Sequence, residues 1–98
     1  MQIEYKNKKI KDVCTSYTKA QKKLGVDMAI ILHQRIKQIS SADSVETLIK
    51  GRIGRCHALD GKRKDQYAMD LGHPHRLIFI EIDKKNKVVK IIEIKDYH

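Results

Sequence analysis

The apolar residues of this chain change their spacing near residue 50, and this change constrains the fold more than any other feature. Before it they recur at the helical period, on a stripe that includes Met28, Ile31, Leu32, Ile36 and Ile39. After residue 52 they alternate or run together, as in residues 77–82 and 88–94, which is typical of strands. With a further strand at residues 1–6, this order predicts an α+β fold, in which two to three helices pack on one face of a mainly antiparallel sheet.

Local signals indicate where these elements begin and end. Asp27 is placed to cap the central helix with its carboxylate. Residues 8–24 permit a helix, which Gly25 is expected to end. Between the last two strands, residues 84–87 form a polar loop, in which we expect Asn86 to take the positive φ that such turns need.

Charge narrows the choice of partners. The chain has 21 Lys and Arg against 12 Asp and Glu, a net charge of +9, which attracts phosphates and acidic proteins. A solvated surface without a partner would have the same composition. The cations crowd into two clusters, which favours surfaces that meet a negative partner: Lys6, Lys8, Lys9, Lys11, Lys19, Lys22 and Lys23, and then Lys50, Arg52, Arg55, Lys62, Arg63 and Lys64.

Length and cysteine content suggest the compartment. At 98 residues, without a repeat or linker, we expect one domain over residues 1–98. No apolar run approaches the roughly 18 residues that cross a bilayer, and the N-terminus lacks the apolar core of a signal peptide. Cys14 and Cys56 are far apart and show no metal-ligand spacing, so we expect reduced thiols in a cytoplasmic protein.

The chemistry that the residues suggest centres on a basic loop at residues 54–64. Its single imidazole, His57, lies among cations, an arrangement that suits phosphate chemistry because cations neutralise charge while an imidazole moves a proton near neutral pH. A basic loop that merely contains a histidine is the alternative. Arg55, Lys62 and Lys64 of this loop are the candidates for binding phosphates.

Two further groups of residues are weaker candidates for a catalytic or metal-binding site. The chain ends in Asp96, Tyr97 and His98, directly after an apolar strand, and alternation sends the first and last of these to one face and Tyr97 to the other. His73 and His75 resemble a pair of metal ligands, but no third ligand stands near them, so neither a metal nor another cofactor is predicted.

Several of these features resemble the HigB branch of the RelE/ParE toxin superfamily when they are taken in order. The resemblance covers about residues 50–98, and the N-terminal strand and helices fit the same architecture. It rests on His57-x-Leu59-x-Gly61-x-Arg63, Tyr67, His73-Pro74-x-Arg76-Leu77 with Phe79, and Asp96-Tyr97-His98.

The resemblance implies the toxin of a type II toxin–antitoxin system, which cuts messenger RNA on the ribosome by attack of a ribose 2′-hydroxyl, without a metal. His57 and His98 would transfer protons, and Asp96 and Tyr97 would orient or assist. Arg63 and Arg76 would hold the scissile phosphate. A HigA-type antitoxin with a helix-turn-helix domain and the ribosome with its message would be the partners.

One residue departs from the family pattern. Asp60 stands where some members carry a lysine that binds phosphate, so that role is not transferred, and Lys62 is the substitute considered. Two alternatives remain open. One is a non-enzymatic toxin that resembles ParE and inhibits DNA gyrase, although His57 and the terminal Tyr97-His98 speak against it, since a toxin that only binds needs no proton-transfer residues. The other is a basic nucleic-acid-binding module, although the chain has few aromatic residues for stacking on bases.

Overall fold

The computed structural model describes residues 1–96, which form four helices and a five-stranded sheet. The strands are β1 (Gln2–Tyr5), β2 (His57–Ala58), β3 (Gln66–Asp70), β4 (His75–Asp83) and β5 (Val88–Asp96), and the helices are α1 (Lys8–Thr15), α2 (Tyr17–Leu24), α3 (Val26–Ser41) and α4 (Val45–Lys50). The sheet order is β1-β5-β4-β3-β2, with β1 parallel to β5 and the other neighbours antiparallel. The predicted α+β fold with a mainly antiparallel sheet is confirmed.

The helices cover one face of the sheet. The core joins helix residues to alternate strand residues, including Leu32, Ile39, Leu48, Met69, Leu77 and Phe79. Ala68 and Ile78 are also fully buried but lie outside this cluster. Because consecutive strand residues point to opposite faces, these two belong to the other side of the sheet, which we call the open face.

The helical segment before Gly25 is divided in two. Ser16 is extended, and its hydroxyl accepts a hydrogen bond from the Lys19 amide at 3.3 Å, so α2 begins anew after α1. Gly25, with φ of 85°, ends α2 as predicted. This division is why the described residues hold four helices rather than two or three. None of these helices is long and apolar enough to cross a membrane.

The predicted cap of the central helix is wrong. α3 begins at Val26 with Gly25 at its N-cap, and no side chain caps it. Asp27 lies inside the first turn instead, two residues after the N-cap. Its carboxylate is still favourable there, because the N-terminus of a helix has a partial positive charge.

The predicted conformation of the β4–β5 loop is also wrong. Lys87 takes the positive φ, at 59°, in place of Asn86. Asn86 instead binds Asp83 twice, through its amide N–H to Oδ1 at 3.0 Å and through Nδ2 to Oδ2 at 2.8 Å. These bonds hold Asn86 within the turn and leave the left-handed position to the next residue.

A β-bulge in β5 changes which residues reach the open face. Phe79 lies opposite Ile91, but its neighbour Ile78 lies opposite Glu93, so Ile92 is an extra residue in β5. Such a bulge shifts the alternation of a strand by one residue. Glu93 consequently shares the open face with Ile78 instead of following Ile91 into the core.

Candidate active site on the open face

Arg35, on α3, packs against the loop that carries the predicted histidine. Arg35 Nε donates to the backbone oxygen of Asp70 at 2.7 Å, which ties α3 to the end of β3. Gly54, in the short 3-10 turn Ile53–Arg55, lies against this guanidinium, and a Cβ there would lie 2.5 Å from Nε. Gly54 also has φ of 57°. Glycine thus permits both the turn and its close contact with Arg35.

His57 is the first residue of β2, and one of its ring nitrogens is hydrogen-bonded to the backbone. It pairs with Ala68 across the sheet and therefore shares the open face. Its Nδ1 lies 2.7 Å from the backbone oxygen of Arg55. Because a carbonyl oxygen only accepts, Nδ1 must carry the hydrogen, and Nε2 is the nitrogen that can gain or lose a proton.

The backbone of Arg55 is strained at the residue that holds this histidine. Its φ is 55°, in the left-handed region, which costs a non-glycine residue of the order of 1–3 kcal/mol. Such strain persists where the surrounding structure imposes it, often at functional sites. Here the conformation directs the carbonyl of Arg55 towards the ring of His57.

Two arginines share one carboxylate beside His57. Asp70 Oδ2 lies 3.6 Å from Arg55 Nε, and its Oδ1 lies 3.7 Å from Arg76 Nε. Two cations against one anion leave a net positive charge. With Arg52, Cys56 and His57, these arginines line an open depression of about 500 Å³. The structure thus brings His57, Arg55 and Arg76 together.

Arg63 lies on the open face and has two internal partners. Its Nη1 donates to Gln66 Oε1 and its Nη2 donates to Glu93 Oε1, both at 2.8 Å. Lys95 Nζ lies 4.0 Å from the other oxygen of Glu93. Glu93 was missed by sequence reasoning, because regular alternation from Ile91 would direct it into the core.

One row of the sheet connects these groups. His57, Ala68, Ile78 and Glu93 lie opposite one another on β2, β3, β4 and β5. At roughly 4.8 Å between strands, the backbones of the first and last are about 14 Å apart. The buried middle of the row is apolar, and its two ends carry the imidazole and the carboxylate–arginine pair.

The end of β5 contributes Asp96 at a different place. It pairs with His75, and its Oδ2 lies 3.7 Å from His75 Nε2. His75 precedes Arg76 on β4, so the two side chains point to opposite faces. Asp96 therefore lies beside His75 at the end of the sheet. Tyr97 and His98 are outside the described residues, and their predicted roles stay predictions.

Of the remaining predicted residues, some are exposed to solvent and one packs against the core. Lys62 and Lys64 flank Arg63 in and after the 3-10 turn Gly61–Arg63, and both are exposed, as is Asp60. Tyr67 lies on the helix-packed face, where its ring stacks on Phe79 with centroids 5.6 Å apart. Its part in the sequence motif is thus explained by packing.

Among residues 1–96, neither the histidine pair nor the cysteines belong to a possible metal centre. Within residues 1–96, no three His, Cys, Asp or Glu side chains lie close enough together to hold a metal ion. Cys14 and Cys56 are buried free thiols, and burial raises the pKa of each to about 12. They are therefore protonated at neutral pH and are poor ligands and nucleophiles.

Comparison with known proteins relates this architecture to toxins. No family model and no curated protein matches the chain. Among solved structures, a chain of the YoeB–YefM complex from Staphylococcus aureus superposes with a TM-score of 0.67 at 19% identity, covering 100% of this chain and 98% of that one. A YoeB/ParE toxin from Agrobacterium tumefaciens gives 0.66 at 11% identity, covering 100% of both chains. The fold is that of the YoeB/ParE toxins.

The likeness extends over the whole length of both chains. The Staphylococcus aureus YoeB dimer gives a TM-score of 0.65 at 19% identity, again with 100% of this chain covered. At such identities the YoeB likeness is one of fold. It confirms the predicted RelE-like fold, while membership of the RelE/ParE superfamily and of its HigB branch stays a prediction.

Proposed function

We propose that this chain is the toxin of a type II toxin–antitoxin pair, an endoribonuclease that cuts messenger RNA on the ribosome without a metal. The observation that carries the proposal is His57. One of its ring nitrogens is fixed by the carbonyl of Arg55, and the other is left to exchange a proton, in a depression shared with Arg55 and Arg76. The YoeB/ParE fold supports the toxin assignment.

The proposed reaction is attack of a ribose 2′-oxygen on the adjacent phosphorus. The bond from the 2′-oxygen to phosphorus forms as the bond to the 5′-oxygen breaks, which leaves a 2′,3′-cyclic phosphate and a 5′-hydroxyl. A base takes the proton of the 2′-hydroxyl and an acid gives one to the 5′-oxygen. Nε2 of His57 performs one of these transfers, and His98 is the candidate for the other.

Arginines near His57 are placed to stabilise the negative charge that develops on the phosphate during the reaction. Arg76 is about two-thirds buried at its side chain and Arg55 is largely exposed, and both already face the anion Asp70. A guanidinium placed before the reaction stabilises the growing negative charge with little reorganisation. Arg63 is the third candidate for the phosphate, with Lys62 and Lys64 at the rim.

The proposed partners follow from the same assignment. The similar Staphylococcus aureus chain was solved in a complex with YefM, and we propose that a protein antitoxin binds this chain too. The HigB resemblance favours an antitoxin with a helix-turn-helix domain. The site of action is the cytoplasm, where the ribosome presents the message.

The test is cleavage of a translated message in a reconstituted translation system, with the product ends identified. We expect cyclic phosphate ends and, for Arg76→Ala, a rate lower by about 10²–10³. Lys84→Ala, an exposed change in the β4–β5 loop, is the charge-matched control and should cleave normally. Ends with a 5′-phosphate would contradict the mechanism. Intact message together with inhibited gyrase supercoiling would contradict the function.

A further inference from the structure

A second concentration of charge lies away from the open face, on the α1–α2 pair. Between residues 6 and 24 the chain has seven lysines and one acid, Asp12. All seven lysines are exposed, and α1 packs against α2, so the charges lie on neighbouring elements. Glu4 of β1 lines the same groove as Lys8 and Lys11. We call the surface of the seven lysines the lysine patch: Lys6, Lys8, Lys9, Lys11, Lys19, Lys22 and Lys23.

Part of the patch opposes local helix electrostatics, whereas Lys22 and Lys23 lie in the last turn of α2, where the helix dipole favours cations. Lys8 and Lys9 occupy the first turn of α1, where the helix dipole favours anions, and that turn has no acidic residue. Lys19 and Lys23 are four residues apart on α2, a spacing at which like charges repel. A surface selected for stability alone would place acids at several of these positions.

Two of the lysines also meet across the helix pair. The ammonium groups of Lys9 and Lys23 lie near each other, and the pKa of Lys23 is lowered by desolvation and then by the proximity of the like-charged Lys9. In the described part of the chain one ion pair reaches the patch, from Lys19 Nζ to Asp12 Oδ2 at 3.3 Å. Departures from local rules of this kind are expected at functional surfaces.

We propose that the lysine patch is a second RNA-binding surface, which takes the phosphate backbone of an RNA double helix. It lies in the helical layer, on the other side of the sheet from His57. Each of the two helices is about 12 Å long, enough for the patch to meet several phosphates at once. The proposal deepens the proposed function and rests on it for the choice of RNA over DNA.

The composition of the patch favours a duplex backbone over other partners. Protein interfaces are depleted in lysine and gain affinity from buried tryptophan, tyrosine and arginine. Surfaces for single strands stack bases on aromatic rings. Between residues 6 and 24 the one aromatic residue is Tyr17, which is 41% exposed and packs edge-on against His33 with centroids 5.8 Å apart, so the patch offers at most one stacking platform. Double-stranded RNA, in contrast, is recognised largely through its shape and its phosphates.

The experiment compares two triple variants of equal net charge. One is Lys9→Gln, Lys22→Gln, Lys23→Gln in the patch. The control is Lys84→Gln, Lys85→Gln, Lys87→Gln in the exposed β4–β5 loop. Both carry His57→Asn to prevent cleavage, and each is titrated with an RNA duplex of about 16 base pairs at several salt concentrations.

We expect the slope of log affinity against log salt to fall by about 2–3 in the patch variant and by less than about 1 in the control. Affinity at low salt should fall about tenfold or more in the patch variant alone. The melting temperature should stay nearly unchanged, since the repulsion between Lys9 and Lys23 is relieved while two favourable charges at the C-terminus of α2 are lost. Equal slopes for the two variants would overturn the proposal.

Two further probes separate the other partners. If the patch variant loses affinity for a poly-glutamate peptide and keeps its affinity for the duplex, the surface binds acidic protein and the proposal is wrong. If one strand of the duplex alone binds as tightly as the duplex, the preference for a double helix is wrong. Because cleavage is absent from all these measurements, their outcome is independent of whether His57 catalyses RNA cleavage.

Discussion

Nη2 of Arg63 donates to Oε1 of Glu93 at 2.8 Å, so a guanidinium expected to hold the scissile phosphate already holds a carboxylate. The two side chains are 30% and 36% exposed. Water screens a pair at this depth, so it contributes at most about 1 kcal/mol to folding. A phosphate must therefore compete with Glu93 for Arg63.

Removing the charge of Glu93 should strengthen binding of RNA. In Glu93→Gln the competing anion is lost, and we expect affinity for an RNA that lacks the reactive 2′-hydroxyl to rise by up to about fivefold, which corresponds to about 1 kcal/mol. The control, Glu46→Gln, removes a carboxylate from the exposed pair with Lys50. Titration by fluorescence anisotropy compares the two, and equal or weaker binding by Glu93→Gln would refute the competition.

Replacing His57 with asparagine should stop cleavage without unfolding the loop. The amide of asparagine can still donate to the carbonyl of Arg55, as Nδ1 does, but it offers no second nitrogen. We expect cleavage of a translated message to slow by about 10²–10⁴ at a nearly unchanged melting temperature. His73→Asn changes an exposed histidine and should cleave normally. Normal cleavage by His57→Asn would remove His57 from the mechanism.

Gly54→Ala should destabilise the protein more than Gly61→Ala. Both glycines have positive φ, 57° and 63°, so both changes introduce backbone strain of about 1–2 kcal/mol. Space is open around Gly61, whereas a Cβ at Gly54 would displace Arg35 from the Asp70 carbonyl. Losing that charged hydrogen bond should lower the free energy of unfolding of Gly54→Ala by about 1.5–3 kcal/mol more. Urea unfolding measures both, and equal losses would contradict the anchoring role of Arg35.

The two cysteines should make folding stability fall at alkaline pH. Burial raises the pKa of Cys14 and Cys56 from 9.0 to about 12, so between these values the unfolded chain releases protons that the folded chain keeps. Their contribution is fully present below pH 9 and is lost as the pH rises towards 12. The urea concentration at which half the protein is unfolded should therefore fall between about pH 8 and about pH 10.5. The fall should be larger for the native chain than for the double variant Cys14→Ala, Cys56→Ala. An equal difference in both proteins would show that other groups cause the decline.

Deleting His98 should impair cleavage more than folding. β5 keeps its described residues Val88–Asp96 and its pairing with β4, so stability should change by about 0.5 kcal/mol or less. Loss of a proton-transfer group should slow cleavage by about 10²–10⁴. Melting temperature and message cleavage are compared for the full chain and the chain ending at Tyr97. Near-normal cleavage by the shorter chain would exclude His98, and a large loss of stability would assign the tail a structural role.

Much of the architecture was predictable because its signals are local. The change from helical to strand spacing near residue 50 places the helices before the antiparallel strands. Gly25 and the polar loop between β4 and β5 mark ends that the structure retains. His57 was recognisable from its basic neighbours within a few residues. Each of these signals acts through contacts or conformations close together in the chain.

The composition of the site was decided by tertiary structure. Glu93 reaches the open face because pairing with β4 leaves Ile92 as an extra residue, and regular alternation in β5 does not reveal that shift. Its partner, Arg63, is 30 residues away. Sequence determined which residues carry charge and which elements hold them. Which charges meet depends on strand register, because a shift of one residue turns a side chain to the opposite face of the sheet.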